Sequence, residues 1–264
     1  MERIWATSHD GVKVPTTIIY RKDKFNKDGS NPAVIEGYGS YGATLEEFYH
    51  SSFISYLDRG IIYVRPHIRG GGYLSLDWYE DGKYLKKENT FLDFIASTEA
   101  IIKNKYSSKG KIIARGGSAG GLLVGAVVNM RPDLYKAVVA EVPFVDVMNT
   151  MLDETIPLTI EEYKEWGNPN EAEYFKYMEA YSPYDNVKKQ PYPNMLITTG
   201  FYDYNVPYWE GVKFGIKIRE YTTAKNPIYI QVNMGAGHQG AAGKYPAYYE
   251  EAVIQQYIIK VLER

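Results

Sequence analysis

The chain has 264 residues, a net charge of −2 and no cysteine. That length suits a single α/β domain burying roughly three quarters of its unfolded surface, and the missing thiol excludes a cysteine nucleophile, a disulfide framework and cysteine-ligated metal sites. Interspersed charges without a basic stripe argue against a nucleic-acid partner, and the absence of a leader-like apolar core or a bilayer-length apolar run points to a soluble, cytoplasmic protein with no membrane partner.

Taken in chain order, Val12–Lys22 reads as a strand set off by the turn signal His9-Asp10-Gly11. A polar loop rich in Asp, Asn, Gly and Pro follows. Ala33–Gly39 is a short buried strand running into a glycine loop, and Gly60–Gly72 repeats that design. Asn89–Tyr106 has apolar residues at helical spacing behind an Asn or Thr cap. Lys111–Gly117 is the next strand, Ser118–Pro132 a helix, Lys136–Phe144 a strand. Between Asp146 and Asn194 the alternation stops, and the Tyr-, Glu-, Pro- and Asn-rich stretch reads as helical segments inserted over the sheet's edge. Asn194–Asp203 is a strand, Val206–Thr222 an amphipathic helix, Pro227–Gly240 a strand and loop, and Tyr249–Glu263 a closing helix. Strands alternating with helices predict a largely parallel sheet covered on both faces.

One junction carries chemistry. Gly116-Gly117-Ser118-Ala119-Gly120 matches G-x-S-x-G between a buried strand and an apolar helix. That context holds a serine on a strained turn, with small flanking residues letting strand and helix pass closely. The helix N-terminus behind it aims amide groups at developing negative charge. The bland alternative, a flexible glycine loop, does not explain the apolar flanks.

A serine nucleophile needs a base. Of four histidines, His9 falls in an N-terminal turn and His50 in a loop of mixed polarity; His67, before a triple glycine, is the fallback. His238 lies in Gly-Ala-Gly-His-Gln-Gly after a late strand, where small neighbours leave the imidazole room to reach a nucleophile. It also completes the chain order Ser, acid, His. Asp203, directly after a strand, is the acid expected between them; Asp146 and Asp185 sit in less regular contexts. The Ala119 amide is one expected oxyanion donor, and the loop Glu36–Gly42 is placed to give a second.

At this level the chain resembles the prolyl oligopeptidase family of serine peptidases, and within it the oligopeptidase B branch. The resemblance runs through GYGSYG, HIRGGG, WYEDGK, GGSAGG, RPDLYKAVVAEVPFVDV, EWGNPN, YSPYDNV and the AGH segment, covering essentially the whole chain. It implies an α/β-hydrolase fold, Ser118, Asp203 and His238 as triad, and the Tyr38 hydroxyl beside the Ala119 amide as oxyanion hole. It also implies short peptides cut after a basic residue, without metal or organic cofactor. Glu162, Glu46, Trp166 and Tyr204 are the expected pocket residues.

Three departures qualify that expectation. Family members carry an N-terminal β-propeller, whereas this chain starts at the catalytic domain's leading strand; a truncation, fragment or engineered scaffold is expected, with self-association through the face a propeller would cover. Glu162-Tyr163-Lys164 stands where the branch has Glu-x-Glu, placing an ammonium where a second carboxylate is expected, for which Glu161, Glu165 or Glu46 could compensate. Glu36, Arg65-Pro66, Tyr73, Tyr204-Asn205 and Gln239 are unusual neighbours of the site, which raises the alternative of a remodelled hydrolase-fold scaffold with weak esterase activity or ligand binding alone.

Overall fold

In the computed structural model, residues 1–45, 52–243 and 245–263 are described. An antiparallel hairpin, β1 (Glu2–Thr7) and β2 (Lys13–Ile19), is followed by β3 (Ala33–Glu36), helix α1 (Ser52–Leu57) and β4 (Ile62–Pro66). Helices α2 (Leu76–Glu80) and α3 (Glu88–Lys103) lead to β5 (Ile112–Gly117), α4 (Ala119–Met130) and β6 (Ala137–Glu141). The irregular stretch forms α5 (Val147–Leu152), α6 (Thr159–Trp166) and α7 (Ala172–Tyr181). Then come β7 (Asn194–Gly200), α8 (Tyr208–Tyr221), β8 (Ile228–Asn233), a small hairpin of β9 (Ala236–Gly237) and β10 (Gly240–Ala241), and α9 (Pro246–Leu262).

Eight strands make one sheet in the order β1-β2-β4-β3-β5-β6-β7-β8. Pairing is antiparallel from β1 through β2 to β4 and parallel from there to β8. The expected mostly parallel sheet with helices on both faces is therefore found. Side chains alternate across it, so each central strand feeds two cores. Ile112 and Ala114 of β5 join the core under α3, α4 and α8, while Ile113 joins the one under α1 and α9.

Three elements, β1, α1 and the five-residue α2, have no counterpart in the sequence reading. β1 is an edge strand with Trp5 55% exposed and Ala6 buried, so its outward face carries an aromatic and blurs the usual polar–apolar alternation. α1 is six residues long and buries only Phe53 and Tyr56, too little for a helical period to stand out.

Parallel strands align their carboxyl ends, and loops leaving that edge converge. Here β3 leads to Tyr38, β5 to Ser118, β7 to Asp203 and β8 to His238.

Candidate active site

Ser118 sits between β5 and α4 with φ 57° and ψ −119°, a left-handed backbone state that non-glycine residues rarely adopt. The surroundings hold it there. Its N–H donates to Glu141 O at 2.8 Å, and its carbonyl accepts from Gly121 N and Phe144 N. Glycine is obligatory around it because a Cβ on Gly116 would lie 2.1 Å from Gly120 O. One on Gly120 would lie 2.6 Å from Gly37 O.

Across the edge, His238 occupies the turn of the β9–β10 hairpin. Its Nε2 lies 3.0 Å from Ser118 Oγ and its Nδ1 2.7 Å from Asp203 Oδ2. Asp203 is buried, and its other oxygen, Oδ1, accepts from Asn205 N and Val206 N, each at 2.9 Å. The carboxylate is thus oriented from both sides, and the line Asp203–His238–Ser118 is continuous.

The other candidates are engaged elsewhere. His67 is buried, with Nε2 2.9 Å from Thr17 Oγ1 and its ring stacked 3.6 Å from Tyr73. Asp146 pairs with Lys213, and Asp185 accepts from Ser182 Oγ at 2.6 Å. His50 and Glu46 lie outside the described residues.

The Tyr38 side chain lines the same cavity as Ser118. Burial, reinforced by Glu162 and Glu165, pushes the phenol above its usual range and keeps it an O–H donor. Ala119 N is the first amide of α4, one of the four a helix leaves without an internal acceptor. Tyr38, Ser118 and Ala119 line one cavity together. The Tyr38 loop is braced from below by Lys87, whose Nζ donates to Gly39 O at 2.6 Å and Ser40 Oγ at 2.7 Å.

A cavity of about 240 Å³ opens beside Ser118, walled by Tyr38, Phe144, Met151, Glu162, Trp166 and Val206 among others. Glu162 Oε2 accepts from Tyr41 Oη at 2.6 Å and Trp166 Nε1 at 2.8 Å. Burial raises the Glu162 carboxyl above its usual value, partly offset by those two donors. Lys164, expected to intrude as a cation, lies on the exposed side of α6 and is not part of the wall. Glu165 points the other way into the protein, accepting from Tyr41 N and the Tyr79 hydroxyl. Tyr204 is 70% exposed and outside the wall; its neighbours Asn205 and Val206 take the place expected of it. Tyr41, Phe144, Thr150 and Met151 were not anticipated as lining. Tyr41 could have been, since it lies in the GYGSYG loop.

Three of the unusual neighbours of the site, Glu36, Arg65 and Tyr73, have partners in the fold. Glu36 on β3 accepts from Arg65 Nη2 at 3.1 Å and from the Tyr63 hydroxyl, both on the adjacent β4. Burial alone would raise Glu36, but Arg115, Arg65 and Tyr63 together hold its carboxyl below the usual value. Tyr73 in turn covers His67.

An eight-stranded, mostly parallel sheet with a serine elbow, an acid and a histidine at its carboxyl edge defines an α/β-hydrolase fold. Comparison with known proteins narrows this. A profile of the prolyl oligopeptidase family matches residues 48–264. The chain is 47% identical over 262 residues to dipeptidyl aminopeptidase BI of Pseudoxanthomonas mexicana, covering 99% of this chain and 36% of that protein. It is 46% identical over 261 residues to protease 2 of Moraxella lacunata, covering 99% of this chain and 38% of that protein. Among solved structures, oligopeptidase B from Leishmania major superimposes with a TM-score of 0.97 at 46% identity, over 99% of this chain and 36% of that one. The chain therefore belongs to the prolyl oligopeptidase family of serine peptidases. It spans little more than a third of the length of the curated relatives it matches. Among the described residues, no helix is long and apolar enough to cross a membrane.

Proposed function

We propose that the chain is a serine peptidase acting through an acyl-enzyme on short peptides, with cleavage after a basic residue. The observation that carries this reading is the continuous hydrogen-bonded line from Asp203 through His238 to Ser118, at 2.7 and 3.0 Å. Ser118 Oγ attacks the scissile carbonyl carbon while its proton passes to His238 Nε2. The carbonyl oxygen, now an anion, accepts from the Tyr38 hydroxyl and the Ala119 amide. Collapse breaks the C–N bond, and His238 returns the proton to the leaving amine. A water then repeats the sequence on the ester carbonyl, releasing the acid and restoring Ser118. Asp203 keeps the imidazole tautomer with Nε2 free to accept and stabilises the imidazolium that forms.

Glu162 supports the preference for a basic side chain. Among the described residues it is the carboxylate on the cavity wall, and in that half-buried setting it is a charge-assisted partner for a cation. Activated esters are expected to react faster than amides, because their leaving group needs less protonation.

A fluorophosphonate probe tests the nucleophile: the folded protein should be labelled, and Ser118→Ala should not. Folded protein that resists the probe would return the chain to the remodelled-scaffold alternative. Specificity is read separately by comparing an arginyl or lysyl amide with an aryl ester of a neutral acid. Glu162→Gln should lower kcat/KM for the basic substrate by about 10–100-fold, the worth of a charge-assisted contact of about 1.5–3 kcal/mol. The neutral ester should change only a few-fold. Equal losses on both substrates would remove Glu162 from specificity.

A further inference from the structure

The hairpin carrying His238 is packed at its base, where Ala236 is buried and a Cβ on Gly200 would lie 2.5 Å from Gly237 O, but cavities border its tip. The cavity beside Ser118 lies on one side of it, and a second cavity, also about 240 Å³, lies on the other; His238 and Gln239 line both. A tip bordered by two cavities has fewer van der Waals contacts to fix it, so polar ties to the frame carry more of its positioning. The outgoing strand is tied where Tyr202 N donates to Ala236 O at 2.9 Å, next to the loop bearing Asp203. The return strand is tied by Glu250 of α9. Glu250 Oε1 accepts from Ala241 N at 3.3 Å and from Asn233 Nδ2 at 2.6 Å. Asn233 closes the other foot, its Oδ1 accepting from Gly235 N at 3.0 Å. The fit is close: a Cβ on Gly240, which has φ +86°, would lie 2.3 Å from Glu250 Oε2.

The next residue of α9 grips the other half of the site. Glu251 accepts from Arg115 Nη2 at 2.6 Å and Nη1 at 3.1 Å. Arg115 is three residues before Ser118 and also donates to Glu141 on β6. One helix thus ties the strand leading to the nucleophile and the hairpin bearing the base.

Resting on the reading of Ser118 and His238 above, we infer that Glu250 and Asn233 are positioning residues that hold His238 in register with Ser118, with α9 as the rigid member between them. Neither touches the reacting atoms. A displacement of about 1 Å at the base lowers the rate by about 10²-fold.

The test compares wild type with Glu250→Ala, Asn233→Ala, their double variant and Glu250→Gln, after thermal unfolding has verified that each is folded. For Glu250→Ala and Asn233→Ala, the fluorophosphonate labelling rate and kcat on an aryl ester should fall about 10–100-fold with KM nearly unchanged. The double variant should be no slower than the slower single variant, because both remove one clamp. Glu250→Gln keeps an acceptor for Asn233 Nδ2 and Ala241 N and should recover most of the rate. A merely structural role would lower the melting temperature without this kcat-against-KM split or the glutamine rescue. If Glu250→Ala fails to fold, Asn233→Ala carries the same reading. Wild type labelled and both alanine variants labelled at its rate would overturn the clamp alone. A wild type that is never labelled would overturn the reading of Ser118 beneath it.

Discussion

Asp203→Asn is expected to lower kcat by about 10⁴-fold while leaving the fold intact. The size follows from how this carboxylate is held. Oδ1 accepts two backbone N–H groups, from Asn205 and Val206, and Oδ2 faces His238 Nδ1. An asparagine has one oxygen, and the two amides fix where it must go. Its NH₂ is then left facing the imidazole, where only an acceptor fits. Nδ1 loses its proton, the proton moves to Nε2, and Nε2 can no longer receive one from Ser118. The two backbone bonds survive, so the melting temperature should move little. Steady-state turnover on an aryl ester beside a thermal melt measures both. A kcat within tenfold of wild type at an unchanged melting temperature would mean that Asp203 does not set the tautomer.

The elements of this site that were legible in the sequence are those whose physics is local. Gly116, Ser118 and Gly120 could be read because a turn this tight excludes any Cβ at its flanks, and the apolar runs on either side reveal a strand and a helix. Asp203 could be read because it directly follows a strand-like run, and His238 because it lies in the loop after another, and strands of a parallel sheet deliver their ends to one edge. The Lys164 problem could not be settled from spacing to a family motif. It is settled by helical phase: on α6, Glu162 and Trp166 lie one turn apart and share the cavity face, while Lys164, between them, turns outward. Pairings between distant segments leave no local trace. Glu36 looks anomalous until β4 brings Arg65 beside it, and nothing around Glu250 announces a contact with Asn233, seventeen residues upstream. Lys87 is the clearest case, a lysine in a run of polar residues that is 1% exposed in the fold.

That lysine and Glu210 on α8 should make the stability of the protein dip near neutral pH. Glu210 is fully buried and accepts from Val145 N, Asp146 N and Thr150 Oγ1 at 2.6–2.8 Å, holding the chain that walls the cavity. Burial pushes its carboxyl from an ordinary 4.5 up to about 7, with the Asp146 charge adding to the rise and the three donors opposing it. Burial likewise pushes Lys87 from 10.5 down to about 7, against the pull of Glu165. Between pH 4.5 and 7 the folded state binds more protons at Glu210 than the unfolded chain does, so stability falls as pH rises. Between pH 7 and 10.5 the unfolded chain binds more at Lys87, so stability climbs again. At about 1.4 kcal/mol per pH unit, the two windows amount to roughly 3 and 5 kcal/mol. Denaturant unfolding at pH 5, 7 and 9 resolves them by difference. Wild type minus Glu210→Gln should decline from pH 5 to 7, because the amide keeps an acceptor for the backbone donors but does not titrate. Wild type minus Lys87→Met should rise from pH 7 to 9 by about 3 kcal/mol. The methionine forfeits the bonds to Gly39 and Ser40, but that loss displaces its curve without tilting it, so the slope alone reports the proton. Difference curves that run flat across both windows would mean that these buried groups reach water in the folded protein, and that the floor beneath Tyr38 and the cavity wall is wetter than their burial implies.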